Sequence, residues 1–423
     1  MLTLQYLRAN SEEAIKRLSK KYFDGQRSIE EIITIDAQRR STQSELDQVL
    51  SQSNNLSKEI GQLIAQGKKE QAGDLRKKSV RLREDARMLE ENMKSLEDQI
   101  YQRMVLLPNL PHESVPEGKT PEENILVRSG GILPQIPENA KSHWELTAQY
   151  DIIDFEIGNK VTGSGFPFYK GKGAKLQRAL ISLFLDHAID RGYIEYQPPL
   201  LVNADTAFGT GQLPDKDAQM YFVTEDKYYL IPTSEVPITN IYRDVILQEE
   251  QLPVKMTAYS QCFRREAGSY GKDVRGLNRL HQFDKVEIVR IDHSSHSYAV
   301  LDEMVNHVEE LLNKLELPYR ILKLCGGDMS FASALTYDFE VFCAAQKKWL
   351  EVSSVSNFET FQSNRMKLRF KDKDGKTQLA HTLNGSALAL PRIVASLLEN
   401  NQTPGGIKMP SALIPYTGWD KIN

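Results

Sequence analysis

Cysteine is scarce in this chain of 423 residues, which contains only Cys262, Cys325 and Cys343. An odd number of cysteines without CxxC spacing argues against a disulfide framework and against a thiolate zinc site. Long apolar runs are also missing, because no stretch approaches the roughly 18 apolar residues of a membrane span. The first residues lack the basic and apolar segments of a secretory signal. We therefore expect a reduced, cytoplasmic protein with no membrane partner.

An excess of positive charge is missing as well. The chain has 53 Lys and Arg against 57 Asp and Glu, a formal net charge of −4. This balance excludes a nucleic-acid binder that works by bulk positive charge, but it leaves a local basic surface open. With 40% apolar and 26% charged residues the composition is that of a globular protein. The length exceeds what one hydrophobic core usually serves, so we expect two or more domains.

Several common catalytic motifs are absent from the sequence. There is no GxxxxGK[ST] phosphate loop, no HExxH zinc helix and no GxSxG nucleophile elbow. The segment Asp372–Gly375 resembles half of a calcium loop, but the remaining ligands are missing. We predict a hairpin turn there instead.

Proline is missing between about Ser28 and Tyr101, where the residues are mostly helix formers. Apolar residues such as Leu46 and Leu82 recur there at alternating steps of three and four, which is typical of a coiled-coil seam. The only strong turn signal between the two halves is at residues 66–69. The pattern predicts two long helices that fold back on each other as an antiparallel hairpin.

The second of these helices has a basic flank. In a coiled coil such residues often only keep the helix soluble, but they could also form a strip that contacts the phosphates of a long nucleic-acid helix. This segment alone leaves both interpretations open. The residues concerned are Arg76, Lys77, Lys78, Arg81 and Arg83.

Proline and glycine become frequent after residue 105, which ends the helical pattern and indicates a linker. We divide the chain into a helical arm at 1–105, a linker at 106–142 and a second domain at 143–423. That domain mixes helical patterns at 173–191, 297–315 and 385–399 with short strand patterns and no repeating β-α-β order. This mixture favours an α+β fold with a largely antiparallel sheet flanked by helices. Strands are predicted at 220–224, 228–231, 258–263, 282–289, 319–324, 336–342 and 349–353.

The most informative segment runs from Cys262 to Glu287 and reads as a strand, a glycine-containing basic loop at 267–276 and a return strand. Arg264 offers a planar fork that suits an α-phosphate or a carboxylate, and Phe283 offers a stacking face for a purine. From these residues alone, a surface hairpin with ion pairs is an equally good explanation.

The segment FRREAGSYGKDVRGLNRLHQFDKVE resembles motif 2 of the class II aminoacyl-tRNA synthetases, in the form found in the seryl-tRNA synthetase family. Other segments resemble that family in the same order along the chain. Together with the helical hairpin they extend the resemblance over essentially the whole chain. They are LPNLPHESVPEG, HWEL, FGTGQLP, PTSEVP, EVSSVSNFETFQSNR and HTLNGSALALPRIVASLLEN.

The resemblance implies ATP and Mg²⁺ as cofactors and assigns residues to them. Arg264 is expected on the α-phosphate, Arg279 on the outer phosphates and Arg392 on the γ-phosphate. Phe283 is expected to stack on adenine, and Glu266 to lie at the adenine or at the tRNA acceptor end. Arg264, Glu266 and Arg392 are the predicted catalytic residues. The remaining predicted ATP ligands are Arg265, Glu351, Val352, Ser353 and Ser354, of which Glu351 and Ser354 also hold Mg²⁺.

The resemblance also implies ligation of L-serine to tRNA(Ser) through a seryl-adenylate, by a homodimer. The basic strip on the helical arm then becomes a tRNA-binding surface for the long variable arm of the tRNA. Some members of the family also serylate tRNA(Sec), which is a further candidate substrate. The predicted serine-binding residues are Thr233, Ser234, Glu235, Arg264, Glu287 and Ser386.

The segment HTLNGSALALPRIVASLLEN resembles motif 3 of the same synthetases, but it departs from the family pattern, which commonly has glycine where this chain has Pro391 and Ala387. Since proline is tolerated in the first turn of a helix and not deep inside one, we expect the helix that carries Arg392 to start near Pro391.

Three alternatives explain less of the sequence. A relative with another amino-acid or carrier specificity would lack the long arm. A catalytically inactive RNA-binding module would have lost Arg264, Glu351 or Arg392. A structural coiled-coil protein would leave the ordered motifs after the arm unexplained.

Overall fold

The computed structural model describes residues 1–267 and 275–423. The described chain divides into two compact units. One contains Leu2–Ser19 and Phe23–Pro108; the other contains Met1, Lys20–Tyr22 and Asn109–Asn423. Within the described ranges, we find no helix with both the length and the apolar character that a bilayer crossing requires.

The first unit is dominated by two long helices. Its helices are α1 (Leu4–Ala9), α2 (Ser11–Ser19), α3 (Gly25–Ala65) and α4 (Lys69–Met104). The side chains of Leu46, Leu82 and Leu96 are buried along the seam between α3 and α4. The predicted antiparallel hairpin is confirmed, and the chain reverses direction at residues 66–68 as the turn signal indicated.

The second unit contains many short strands. They are β1 (Ile125–Gly130), β2 (Ile153–Asp154), β3 (Phe168–Tyr169), β4 (Ile194–Glu195), β5 (Leu201–Val202), β6 (Phe222–Val223), β7 (Tyr228–Leu230), β8 (Ile246–Gln248), β9 (Val254–Phe263), β10 (Gln282–Asp292), β11 (Tyr319–Lys323), β12 (Leu335–Cys343), β13 (Lys348–Asn357), β14 (Arg369–Lys371), β15 (Thr377–Leu379), β16 (His381–Ala389), β17 (Gln402–Thr403), β18 (Gly406–Lys408) and β19 (Lys421–Ile422).

Helices surround these strands. They are α5 (His143–Gln149), α6 (Phe155–Val161), α7 (Gly171–Ile189), α8 (Ala204–Gly209), α9 (Glu235–Thr239), α10 (Ser297–Lys314), α11 (Phe361–Met366), α12 (Leu390–Asn400) and α13 (Ile414–Thr417), with short 3₁₀ turns at Pro121–Glu123, Asn240–Tyr242, Glu249–Gln251 and Ser411–Leu413.

The main sheet has the strand order β1-β11-β12-β13-β16-β10-β9-β4. All neighbouring strands in it are antiparallel except β4 and β9, which run parallel. Helices α7, α10 and α12 pack on this sheet and bury a core that includes Phe184, Met304 and Leu397. The predicted α+β class with an antiparallel sheet is confirmed.

The predicted helix at 385–399 is wrong in its first third, because Gly385–Ala389 belongs to strand β16. β16 lies between β10 and β13 and is buried on both faces, so it lacks the alternation of apolar and polar residues that identifies a half-exposed strand. Pro391 lies in the first turn of α12, where its missing N–H costs little, as predicted.

Two smaller features concern other predictions. β14 and β15 form an antiparallel hairpin around Asp372–Gly375, so the predicted turn is confirmed. β1 lies within the segment 106–142, which the sequence indicated only as a linker, and it pairs with β11 at the edge of the main sheet.

Candidate active site

A cleft of about 1090 Å³ lies in the second unit, over the face of the main sheet. Strands β10, β11, β12, β13 and β16 supply its floor, and the segment before α9 and the first turn of α12 supply parts of its wall. Because side chains alternate along a strand, every second residue of these strands points into the same space. Thr382, Asn384 and Ser386 of β16 share a face in this way.

One end of the cleft has two buried carboxylates. Glu235 begins α9 and is 5% exposed, and Glu287 of β10 is fully buried. The Asn384 side-chain amide donates to both, at 2.7 Å to Glu235 Oε2 and 3.1 Å to Glu287 Oε1. Lys285 Nζ lies 2.6 Å from Glu287 Oε2, which also accepts from the Thr233 hydroxyl at 3.0 Å. This end therefore combines acceptor oxygens with fixed positions, which suits a small ligand that carries an ammonium group.

Burial, followed by the negative charge of Glu287, raises the pKa of Glu235 to about 7. A carboxyl group with a pKa near neutrality can ionise when a cation arrives, because the cation offsets the cost of burying the charge. The pair of carboxylates is therefore suited to a cationic group, and only weakly suited to a neutral one.

The other end of the cleft has arginines and an aromatic ring. The Arg264 guanidinium lies 5.2 Å from the centroid of the Phe283 ring. Arg264 follows the last residue of β9, and its backbone N–H donates to the His281 carbonyl at 2.9 Å, which holds it beside the start of β10. The planar guanidinium thus has a defined position on a rigid support, as the binding of an anion requires.

Arg279 lies near the start of the return strand and pairs with Glu266, with Nη1 2.6 Å from Glu266 Oε2. Both side chains are partly exposed at the cleft. The predicted loop at 267–276 lies largely outside the described residues, so only its two ends can be placed.

Arg392 lies in the first turn of α12. Its Nε donates to the Asn278 carbonyl at 2.9 Å and its Nη1 donates to the Glu351 carbonyl at 2.6 Å. Two backbone carbonyls from different elements therefore orient the guanidinium, and its remaining N–H groups stay available at the cleft.

Oxygen ligands meet where β12 and β13 run side by side. The Ser354 hydroxyl lies 3.5 Å from Glu351 Oε1, and Asp338 is opposite Ser354 in the strand register. Burial, followed by the charge of Glu351, raises the pKa of Asp338 well above its ordinary value. Its Oδ1 is buried without a hydrogen-bond partner in the described structure. A hard divalent cation suits such oxygens.

The same ligands do not form a complete metal cage. Among the described residues there is no group of three or more His, Cys, Asp or Glu side chains that could hold a metal ion. Mg²⁺ is usually bound through one or two carboxylates together with phosphate oxygens of a substrate. Glu351 and Ser354 therefore fit a cation that arrives with a polyphosphate.

Comparisons with known proteins agree over the length of the chain. The family described as seryl-tRNA synthetase N-terminal domain matches residues 1–111, and the tRNA synthetase class II core domain (G, H, P, S and T) matches residues 221–401. A serine–tRNA ligase of Salinibacter ruber is 50% identical over 424 residues, which cover 100% of this chain and 99% of the relative. The chain belongs to the serine–tRNA ligase family. The family predicted from the motifs is thereby confirmed, and with it the prediction of an enzyme.

Solved structures of the family agree with the fold. A seryl-tRNA synthetase of Pyrococcus horikoshii complexed with ATP has a TM-score of 0.95 at 31% identity, covering 100% of this chain and 99% of that one. A cytoplasmic serine–tRNA ligase of Naegleria fowleri in complex with AMP has a TM-score of 0.88 at 27% identity, covering 99% and 97% of the two chains.

The structure brings most of the predicted site residues together, and this grouping is consistent with the serine–tRNA ligase family. Val352 is buried, and the Ser353 hydroxyl donates to the Ser386 carbonyl at 2.6 Å, so β13 and β16 are tied together beneath the cleft. The predicted residues that line the cleft are Thr233, Glu235, Arg264, Glu266, Arg279, Phe283, Glu351, Val352, Ser353, Ser354, Ser386 and Arg392.

Other predicted residues lie outside this lining. The Ser234 hydroxyl donates to the Ala258 carbonyl at 3.2 Å, on the side of β9. The Arg265 backbone N–H donates to the Gln219 carbonyl at 2.8 Å. Glu287 is fully buried and accepts hydrogen bonds from Thr233 and Asn384, two residues that line the cleft. The predicted tRNA-contacting residues of α4, which are all exposed to solvent, belong to the other unit: Arg76, Lys77, Lys78, Arg81 and Arg83.

Two residues of the site, Lys285 and Asn384, are not among those predicted from the sequence. Lys285 lies between Phe283 and Glu287 on the same face of β10, so strand alternation was a signal that could have identified it. Asn384 lies within the quoted segment HTLNGSALAL, but the predicted helix there concealed that it shares a strand face with Ser386.

A buried pair anchors the described end of the loop that follows motif 2. His143 and Glu399 are both fully buried, and His143 Nδ1 donates to Glu399 Oε1 at 2.8 Å. His143 Nε2 accepts from the Leu277 N–H at 2.9 Å, so α5 and α12 are joined to the segment that leads to Arg279. Burial raises the pKa of Glu399, but the interactions with His143 and the hydrogen bond from the Gln346 backbone N–H together lower the pKa overall.

We expect the substitution His143→Ala to lower the free energy of unfolding by about 2–4 kcal/mol, because it leaves a cavity and a buried carboxylate without its main partner. Since the pKa of Glu399 is lowered, the stabilisation is present above the ordinary carboxyl pKa and is lost as the pH falls through the lowered value. Calorimetric unfolding near neutral pH and at acidic pH measures both effects. His296→Ala, at an exposed histidine, is the control; equal losses in the two variants would contradict the role of the pair.

Proposed function

We propose that this enzyme ligates L-serine to tRNA(Ser) in two steps, with the cleft as the site where ATP activates serine. The observation that carries the proposal is the arrangement of the cleft, with buried carboxylates at one end and two oriented arginines and an aromatic ring at the other. An amino acid has a cationic and an anionic end, and a nucleoside triphosphate has a planar base and an anionic chain. The cleft has complementary groups for each of these.

In the first step the serine carboxylate attacks the α-phosphorus of ATP. A bond forms between a carboxylate oxygen and this phosphorus, the bond to the bridging oxygen breaks, and pyrophosphate leaves. The nucleophile is already ionised at neutral pH, so no general base is needed. Arg264 contacts the α-phosphate and the serine carboxylate, and Arg392 contacts the γ-phosphate. The residues thereby align the reactants and offset the charge that develops on the phosphates.

Glu235 and Thr233 hold the ammonium and hydroxyl groups of serine, supported from behind by Glu287, and Ser386 completes the amino-acid pocket. Phe283 stacks on adenine, while Arg279 reaches the outer phosphates. Ser234, Arg265 and Glu287 lie outside the cleft lining, so Ser234 and Arg265 contribute through their backbone positions and Glu287 through its hydrogen bonds to Thr233 and Asn384.

Mg²⁺ is the divalent cation that Glu351 and Ser354 hold together with the phosphates of ATP. When bound, it neutralises phosphate charge and polarises the leaving pyrophosphate. Asp338, whose buried Oδ1 has no hydrogen-bond partner in the described structure, would gain negative charge beside this position only when the cation offsets the burial that raises its pKa. The role of the three residues is to place the triphosphate chain.

In the second step a hydroxyl of the terminal adenosine of the tRNA attacks the carbonyl carbon of the seryl-adenylate. An ester bond forms, the bond from the carbonyl carbon to the phosphate oxygen breaks, and AMP leaves. Glu266 lines the cleft and is paired with Arg279, which supports its proposed role at the adenine or at the acceptor end of the tRNA.

Serine must be separated from alanine and threonine. A buried polar group that loses its partner is costly, so Thr233 and Glu287 disfavour alanine, which lacks the hydroxyl. Threonine carries an extra methyl group, so it has to be excluded sterically.

Rates of amino-acid-dependent ATP–pyrophosphate exchange with serine, threonine, alanine and glycine test the whole proposal. Exchange with serine alone supports it, and exchange that does not depend on serine would overturn it.

Further partners belong to the same proposal. The exposed basic strip on α4 binds the phosphates of tRNA(Ser), and tRNA(Sec) is a second candidate substrate. The enzyme works in the cytoplasm as a homodimer. In support of a partner chain, Ile125, Leu126 and Val127 of the edge strand β1 are each at least half exposed, and such apolar patches commonly mark interfaces. Light scattering of the purified chain measures the oligomeric state.

The pH dependence of serine use follows from Glu235. Because the pKa of Glu235 is raised to about 7, its carboxyl group loses its negative charge as the pH falls, and attraction for the serine ammonium group weakens. We expect kcat/KM for serine to fall about tenfold between about pH 8 and about pH 6, as for one titrating group. Exchange rates at limiting serine measure this. The Glu235→Gln variant should have a low kcat/KM for serine that does not change with pH in this range. A wild-type kcat/KM that does not depend on pH would contradict the role of Glu235.

A further inference from the structure

Gln362 of α11 is a buried polar residue that the proposed mechanism does not use. It is 1% exposed, and its amide nitrogen donates to Glu235 Oε1 at 2.7 Å and to the Thr210 carbonyl at 3.2 Å. Its amide oxygen accepts from the Thr382 hydroxyl at 2.7 Å. Thr382 is fully buried. Both N–H groups of Gln362 are therefore engaged, and each partner has the polarity that this orientation of the amide requires.

From these contacts we infer that Gln362 is a positioning residue that holds Glu235 for the ammonium group of serine, and that Thr382 supports the Gln362 amide by satisfying its oxygen. This inference rests on the proposed function, since it gives Glu235 the serine ammonium as its ligand. Gln362 itself does not line the cleft and acts through Glu235.

The geometry explains why two amides are needed. Asn384 occupies Oε2 of Glu235 and Gln362 occupies Oε1, so the carboxylate is clamped from β16 on one side and α11 on the other. With both oxygens held, the plane of the carboxylate cannot rotate, and its remaining lone pairs keep a constant direction. A clamped carboxylate loses less rotational freedom when it binds a cation.

Thr210 and Thr382 together define which way the Gln362 amide is turned. The two ends of a glutamine amide have nearly the same shape, so Gln362 could turn over and present its oxygen to Glu235. An oxygen there would repel the carboxylate and remove a donor. The Thr210 carbonyl opposes this, because it can only accept and therefore needs the amide nitrogen. The Thr382 hydroxyl donates to the amide oxygen in the observed orientation, so that the buried oxygen has a partner.

Charged groups around Glu235 set the electrostatic background. Glu287 and Lys285 of β10 face it, as does Arg264 after β9, while α11 and β16 contribute the neutral amides of Gln362 and Asn384. Burial and Glu287 raise the pKa of Glu235, and the hydrogen bond from Gln362 lowers it. Removal of that hydrogen bond should thus raise the pKa further and shift the serine profile to higher pH.

The test compares Gln362→Met, Thr382→Val and Thr382→Ser in ATP–pyrophosphate exchange over a range of pH. A hydrogen bond to a charged group is worth enough for about a tenfold change, so we expect Gln362→Met to raise KM for serine about tenfold near neutral pH and to shift the profile upward by about one pH unit. Thr382→Val should act in the same direction, and Thr382→Ser, which keeps the hydroxyl, should restore wild-type behaviour. KM for ATP should stay within about twofold, because Gln362 has no contact with the nucleotide end.

A purely structural role gives a different result. If Gln362 only supports packing, Gln362→Met would lower the melting temperature or kcat without shifting the pH profile for serine, and this would overturn the inference. Failure of Thr382→Ser to restore the profile would overturn the part assigned to Thr382. Absence of serine-dependent exchange in the wild-type enzyme would instead contradict the proposed function, so the two failures are distinguishable.

Discussion

Replacing Arg264 with alanine should lower the rate of serine-dependent ATP–pyrophosphate exchange by about a thousandfold or more. Arg264 is the proposed contact of both the α-phosphate and the serine carboxylate, so its loss affects the two groups between which the new bond forms. Removal of one preorganised donor at a developing charge costs about 10²–10³ in kcat, and arginines at transferring phosphoryl groups can cost more. The loss should appear mainly in kcat, because the interaction strengthens as charge moves onto the phosphorus oxygens.

Two further variants sharpen this test. Arg264→Lys keeps a positive charge but not the planar pair of donors, so only partial activity should return. Arg178→Ala removes an arginine from the exposed side of α7 and serves as the matched control. If Arg264→Ala retained more than about a tenth of wild-type kcat, against the usual cost of losing such a donor, the position assigned to the α-phosphate would be wrong.

The second large effect concerns the basic strip on α4. The double substitution Arg81→Glu with Arg83→Glu replaces two positive charges with two negative ones at exposed positions of α4, on either side of the buried Leu82. Each lost contact with a tRNA phosphate weakens tRNA binding and reduces its salt dependence, and the introduced negative charges repel the phosphate backbone of the tRNA. We expect affinity for tRNA(Ser) to fall about 100-fold at low salt, with a smaller loss at high salt. Filter binding at several salt concentrations measures this.

The same variant should leave serine-dependent exchange unchanged, since exchange needs no tRNA. Lys408→Glu with Lys421→Glu makes the same change in net charge at exposed positions of the second unit and is the matched control. Equal tRNA affinity for the two double variants would mean that the strip on α4 only keeps the helix soluble.

The helical hairpin and most of the sheet could be predicted because their patterns are local. Residues such as Leu46 and Leu82 repeat with the helical period, and strands β9 and β10 are bounded by clear turn signals. β16 was missed because a central strand buried on both faces has no alternation, and its small residues, including Gly385 and Ala387, carry little propensity of their own.

The site was predictable only where a family motif pointed to it. Arg264 and Phe283 are adjacent in space because two paired strands bring them together, and the motif contains both. Asn384 and Gln362 act through contacts with Glu235, which is more than a hundred residues away in the chain. No periodicity encodes such a contact, since it depends on how α9, α11 and β16 converge.

β16 continues into α12 without an intervening loop, and Arg392 is the third residue of that helix. One residue added at this junction would turn the helix by about 100°, since an α-helix has 3.6 residues per turn, and would move the guanidinium off its two carbonyl anchors. Deletions there should be as harmful as insertions. The exposed turn at 373–376 between β14 and β15 has no such geometric requirement. The protein should therefore accept changes of chain length at that turn while tolerating none at the junction before Arg392.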